Sequence, residues 1–213
     1  MKKISALLIF YQLFATQAFA QFYIEPLVGY QVDLNNERKF KQFNTGIQLA
    51  WKAHPVYEWV FKIQRSWPVS YNSNDSSFSA NPALPLYSAA KKTIAPSTWS
   101  FAPGMRLKLA GKNSKNILFA IGYIGMAYQK IEVNYHYDKG NYIILNPDQT
   151  QERFRAFFSG GFEYMHLLEK GRLFLQVSAS TPPFGVSISY PSSFGFMAPL
   201  SINAGYSILL SKK

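Results

Sequence analysis

The chain has no cysteine among its 213 residues. That excludes disulfides, thiolate metal sites and a lipid anchor carried on a cysteine. Histidine is scarce too: His54, His136 and His166 are all there are, and their scatter along the chain argues against a metal centre. Only 15% of residues are charged, and acidic side chains number 11 against 22 Lys and Arg. No apolar run is long enough to cross a bilayer as a helix. A helical membrane protein, a disulfide scaffold and a Cys/His metal protein are thereby set aside.

What is present begins with a leader. Lys2 and Lys3 form a basic start, Ile4 to Phe14 an apolar stretch, and Ala18-Phe19-Ala20 a small-residue cleavage site, so the mature chain is expected to begin at Gln21. The formal charge is +11, and loss of Lys2 and Lys3 with the leader lowers it by two. A basic exported chain points to anionic lipid or glycolipid rather than nucleic acid. Aromatics reach 17% of residues. What remains after the leader, residues 21–213, is one domain's worth of chain.

The dominant pattern has a period of two, the signature of strands with one apolar and one polar face. In Pro199 to Leu210, Ile202, Ala204, Tyr206, Ile208 and Leu210 alternate with small or polar residues, Leu209 excepted. Phe22 to Val32 reads as a first strand, with Pro26 marking a bulge or a weak pairing. Gln42 to Lys52 and Tyr57 to Trp67 follow, then Trp99 to Leu109, bent at Pro103-Gly104. Asn116 to Tyr135, Glu152 to Met165 and Arg172 to Ser180 complete the set. Asp138 to Asn141 reads as a hairpin turn joining Val133–Tyr135 to Tyr142–Ile144, which would carry the sheet above a membrane. Pro68 to Ser97 and Thr181 to Met197, rich in Ser, Asn, Pro, Ala or Gly, read as loops.

Short connections near His54, Asn113 and Lys170 alternate with long ones near Asn36, Asn81, Gly140 and Tyr190. That alternation, with about eight strands of about nine to eleven residues, fits an all-β, eight-stranded antiparallel up-and-down transmembrane β-barrel with short periplasmic turns and long extracellular loops. The faces agree. One collects Glu25, Glu58, Lys62, Arg106, Lys108, Arg153, Arg155, Glu163 and Arg172, expected inside and paired across the lumen. The other is apolar, with Trp51, Tyr57, Trp59 and Tyr164 near the short turns and Tyr30, Phe43, Trp67, Trp99 and Phe154 near the long loops, as two interfacial girdles would be. An exported soluble β-sandwich with the faces exchanged is the alternative.

Leader, eight-segment plan, loop alternation and closing strand together resemble the small outer-membrane β-barrel proteins of the OmpA/OmpX type, and the "outer membrane protein beta-barrel domain" proteins of Bacteroidetes. Within the closing strand, Asn203, Gly205, Ile208 and Leu210 resemble the signal such barrels present to the β-barrel assembly machinery, although the chain ends Leu-Ser-Lys-Lys rather than in an aromatic residue. The resemblance implies residence in the bacterial outer membrane, among outer-membrane lipid and lipopolysaccharide.

No catalytic constellation and no cofactor motif stand out. The leading expectation is a non-enzymatic barrel with a lumen filled by charge pairs, acting through its extracellular loops in adhesion, envelope integrity or as a subunit with another outer-membrane protein. The apolar patches Ala83 to Tyr87 and Phe184, Ile188, Tyr190, Phe194 and Phe196 offer contact surfaces. Arg38, Lys39, Lys41, Lys91 and Lys92 could meet lipopolysaccharide phosphates. Two other readings compete: a lipid A-modifying enzyme using His136 with Ser187 or Ser189, and a narrow anion-preferring channel lined by Arg106, Arg153, Arg155 and Arg172.

Overall fold

The computed structural model describes residues 21–33, 41–52, 54–111, 114–144, 149–180 and 199–211. The expected leader, the loop 34–40 and the loop 181–197 lie outside those residues. Ten strands follow in chain order: β1 (Gln21–Asp33), β2 (Lys41–Lys52), β3 (Tyr57–Pro68), β4 (Tyr71–Ser79), β5 (Tyr87–Ala110), β6 (Asn116–His136), β7 (Tyr142–Ile143), β8 (Gln149–Leu167), β9 (Arg172–Ser180) and β10 (Pro199–Ser211). All pairings are antiparallel, and among the described residues there is no helix.

Eight of these strands close a ring: β1, β2, β3, β5, β6, β8, β9 and β10, with β10 pairing back onto β1. Closure follows from the period-two pattern. Each strand has one face that must leave water, and bending the sheet until its edges meet leaves no unpaired ring edge. β9 shows the pattern most cleanly: Arg172, Phe174, Gln176 and Ser178 are buried while Leu173, Leu175, Val177 and Ala179 are exposed.

The distribution inverts that of a soluble domain. Glu25, Gln48, Arg106, Glu163 and Gln176 are all 0% exposed, whereas Ile47, Phe101, Ile124, Phe162 and Ile202 are each 43% exposed or more. The interior is nevertheless not purely ionic. Ile117, Phe119, Ile121, Met165 and Phe174 also point inward and pack together. On β6 both faces are apolar, so register rather than composition decides the facing: the odd positions from Ile117 to Tyr123 are inside.

Several expectations are corrected. Residues 71–79 and 87–97 are a β-hairpin, not a loop, and β5 runs 24 residues rather than eleven. With β6 at 21 residues and β8 at 19, the sheet continues well past the ring on one side. There little apolar alternation is needed: beside a small buried patch of Ile94, Ile131 and Val133, the strands are held by backbone pairing and by cross-strand contacts such as Thr93 Oγ1 to Asn72 Oδ1 at 2.9 Å. The Asp138 turn forms, with the Tyr142 N–H donating to the Asp138 carbonyl at 3.0 Å. Its outgoing strand β7 pairs with β4 (Phe78 opposite Ile143) instead of returning along β6. Of the two readings of Pro26, the bulge is not found, since Ile24–Ile208 and Leu27–Gly205 keep one register, but the weak pairing is: the ladder to β10 lapses at Glu25 and Pro26. The shift lies instead between Phe22 and Tyr23.

Candidate functional site

Arg106 on β5 lies at the centre of the lumen. Its Nε donates to Glu58 Oε2 at 2.8 Å, its Nη2 to Glu25 Oε1 at 2.7 Å, and its Nη1 to Glu163 Oε1. One guanidinium thus gathers carboxylates from β3, β1 and β8, which only ring closure brings together. Arg172 adds a second fork: Nη1 to Glu58 Oε1 at 2.9 Å, Nη2 to Glu25 Oε1 at 3.0 Å, and Nε to Ser207 Oγ at 3.1 Å. A planar guanidinium suits this role because its donors diverge in fixed directions toward several acceptors.

Neutral groups complete the cluster. Gln48 Nε2 donates to Glu25 Oε2 at 2.6 Å, and the Tyr123 hydroxyl donates to Gln48 Oε1 at 2.8 Å. Gln176 Nε2 reaches the Tyr123 oxygen at 2.9 Å and Glu163 Oε2 at 3.2 Å. Lys62 Nζ donates to Gln176 Oε1 at 3.4 Å and lies 4.3 Å from the centre of the Tyr123 ring. The Arg172 guanidinium carbon is 3.5 Å from the centre of the Tyr23 ring. Three carboxylates therefore meet two guanidiniums, with Lys62 joined to them through the Gln176 amide, so that each desolvated charge has a polar partner.

Of the nine residues expected in a lumen network, the structure brings Glu25, Glu58, Arg106, Glu163 and Arg172 into direct contact, with Lys62 joined through Gln176. Lys108 stands apart, half-buried, in a cup at the short-turn mouth with Lys52, Glu58 and Arg172. Arg155 is paired opposite Ala127, eight residues up β8 from Glu163, about 27 Å along the strand. The Arg153 side chain lies outside the described residues. Sequence reasoning missed Tyr123 and Gln48 as connectors. Their signal was an inward parity shared with charged residues on neighbouring strands.

The residues read as an assembly signal divide between faces. Asn203 is fully buried, its Nδ2 donating to Gln176 Oε1 at 3.4 Å, while Ile208 and Leu210 are exposed outside. Gly205 has a packing reason of its own. A Cβ there would lie 2.4 Å from both the Phe174 ring and the Pro26 carbonyl oxygen. Gly205→Val should destabilise the refolded barrel by an overpacking cost of about 1–3 kcal/mol, read as a lower urea midpoint. The same change at Gly122, where a Cβ meets nothing within 4 Å, should not; equal effects would refute the packing explanation.

Beyond the ring, the upper sheet carries its own contacts. Asp75 lies 3.8 Å from Lys92, and Ile94, Ile131 and Val133 form a small buried cluster. Its tip is apolar: the Phe78 and Tyr87 rings are 5.2 Å apart, and Leu86 and Ile143 are exposed. Lys91 and Lys92 are on β5 and Lys41 begins β2, whereas Arg38, Lys39 and the patch from Phe184 to Phe196 lie outside the described residues.

The histidines stay separate. His54 Nδ1 accepts the Val56 N–H at 3.2 Å, and His166 Nδ1 lies 2.6 Å from Asn116 Oδ1. His136 ends β6 beside Tyr135, Tyr137 and Lys139, at the opposite end of the molecule. Ser187 and Ser189 lie outside the described residues. Among the described residues no three His, Cys, Asp or Glu side chains are grouped to hold a metal.

No family model matches the chain, and no curated protein matches it. Solved structures do. Neisserial surface protein A, NspA, aligns with a TM-score of 0.54 at 10% identity over 90% of this chain and 99% of that one. A major outer membrane protein from Thermus thermophilus aligns with a TM-score of 0.55 at 8% identity, over 89% of this chain and 98% of that one. The chain thus has the fold of the small outer-membrane β-barrels, eight antiparallel strands in an up-and-down ring.

Proposed function

We propose that the protein is exported to the bacterial outer membrane and works there without catalysis, through the sheet and loops raised beyond the far rim of its ring. Adhesion, envelope integrity and membership of a membrane complex are the roles this platform suits. Kinship with the Bacteroidetes barrel-domain proteins and recognition of the last strand by the assembly machinery belong to the same reading.

The observation that carries it is the inverted distribution of side chains: charges clustered inside, an apolar surface outside. Water would select the opposite arrangement, and a bilayer selects this one. The aromatic levels support it. Trp51 and Trp59 stack at 6.3 Å near the short turns, and Trp67 lies eight residues from Trp59 on β3. That is about 27 Å along the strand, or about 21 Å of height at a tilt of about 40°, with the rings adding the rest of an apolar band about 25 Å tall.

The paired cluster speaks against the channel reading. Arg106 and Arg172 are both committed to carboxylates, so no excess of inward cations is free at that level to draw anions. Eight strands leave an interior that side chains can fill. The folded protein should therefore appear in the outer-membrane fraction, migrate differently in gels before and after heating, and give no conductance steps in planar bilayers. Recovery as a soluble periplasmic protein would refute the placement. A steady anion-selective current would restore the channel.

A further inference from the structure

On the outer face of the ring, below the rim, Arg65 interrupts a locally uncharged surface. The other outward side chains around it are Phe43, Thr45, Ile47, Phe61, Ile63, Trp67, Trp99 and Phe101 on β2, β3 and β5, none of them charged. A guanidinium facing lipid is unfavourable unless it reaches the interface and finds a counter-charge.

Its surroundings are built. Arg65 pairs with Thr45 on one side and Trp99 on the other. Its guanidinium carbon lies 3.8 Å from the centre of the Trp67 ring and 5.1 Å from that of Trp99. Trp67 is itself pinned, its Nε1 donating to Thr45 Oγ1 at 2.9 Å. Arg65 Nε, closed off from solvent, donates to no group among the described residues, and no carboxylate among them forms an ion pair with Arg65. The ring faces orient the guanidinium but do not neutralise it.

We propose that Arg65, bracketed by Trp67 and Trp99, is a binding site for the phosphate group of an anionic lipid in the leaflet at the far rim. This rests on the membrane placement proposed above. A lipid is the fitting occupant because the site continues into an apolar track. Ile63, Ile47 and Phe101 lie next to Arg65 on the short-turn side, the latter two 48% and 43% exposed, where acyl chains would run. Lys41 is exposed on the same face at the rim end of β2, four residues beyond Thr45.

The test uses the mature protein refolded in phosphatidylcholine nanodiscs doped with bis-phosphorylated lipid A or with its dephosphorylated form. After extraction into mild detergent, the lipid A retained per protein is measured by mass spectrometry. Wild type should retain the phosphorylated lipid about tenfold better than Arg65→Gln, the loss expected for one charge-assisted contact. Arg65→Lys should fall between, and the dephosphorylated lipid should not be retained. Unchanged heat-modifiable migration of both variants in plain phosphatidylcholine shows that they fold. Equal retention by wild type and Arg65→Gln, or equal retention of the dephosphorylated lipid, would overturn the site while leaving the placement intact. Displacement of the lipid by equimolar inorganic phosphate would also overturn it, by making the site one for a free ion. Failure of the wild type to enter any bilayer would overturn both.

Discussion

Replacing Arg106 with methionine should cost the barrel about 3–5 kcal/mol of folding stability, the range for removing one partner from a buried ion cluster. The methionine keeps much of the side-chain volume, so the loss reports charge rather than packing. Glu25 and Glu58 would still face Arg172, at 3.0 and 2.9 Å. Glu163 would keep only the Gln176 amide at 3.2 Å among its described hydrogen bonds, and it is 0% exposed. The largest part of the penalty should therefore sit on Glu163. Arg106→Met combined with Glu163→Gln should recover a good fraction of the loss. Arg106→Lys should recover less, because its compact ammonium lacks the wide planar fork by which Nε, Nη1 and Nη2 reach carboxylates on three strands. Urea titrations of protein refolded in detergent micelles, read by heat-modifiable migration, give the midpoints. A single variant as stable as wild type would show that the cluster does not hold the ring together.

The faces of the strands could be read from the sequence because a β-strand alternates with a period of two. Once Glu58, Lys62 and Gln64 share a parity, their common side follows whatever the neighbours are. Which carboxylate meets which guanidinium could not be read. Arg106 reaches partners 48, 57 and 81 residues away, and those distances depend on ring closure and strand stagger rather than local pattern. β6 shows the limit from the other side: Leu118 and Phe119 are both apolar, so only register assigns one to lipid and the other to the lumen.

The upper sheet escaped for a physical reason as well. Residues 71–79 read Tyr-Asn-Ser-Asn-Asp-Ser-Ser-Phe-Ser, with the composition of a loop. They are a strand because β5 offers them a complete row of backbone partners, from Tyr71–Ile94 to Phe78–Tyr87. Tertiary context supplies what local propensity does not. Arg65 was equally hard to place, since a single charge at an apolar parity reads as an interruption until Trp67 and Trp99 are seen on either side of it.

The sharpest separation between a bilayer and water comes from Ile124→Arg. Ile124 is 61% exposed on the outer face of β6, opposite Phe158. It sits about midway between the level of Leu118–Tyr164 and that of Tyr128–Phe154. For a soluble barrel, arginine at so exposed a position would change stability by about 0.5 kcal/mol or less. At the midplane of a bilayer it should cost about 2–4 kcal/mol. That corresponds to a drop of about thirtyfold to a thousandfold in the folded-to-unfolded ratio. Asn134→Arg supplies the control, since Asn134 is exposed on the same strand but beyond the ring, opposite Thr93 in the upper sheet. It should leave folding into phosphatidylcholine liposomes unchanged while Ile124→Arg impairs it. If the two arginines prove equally harmless, the exposed apolar surface does not face lipid, and the phosphate site at Arg65 loses its setting with it.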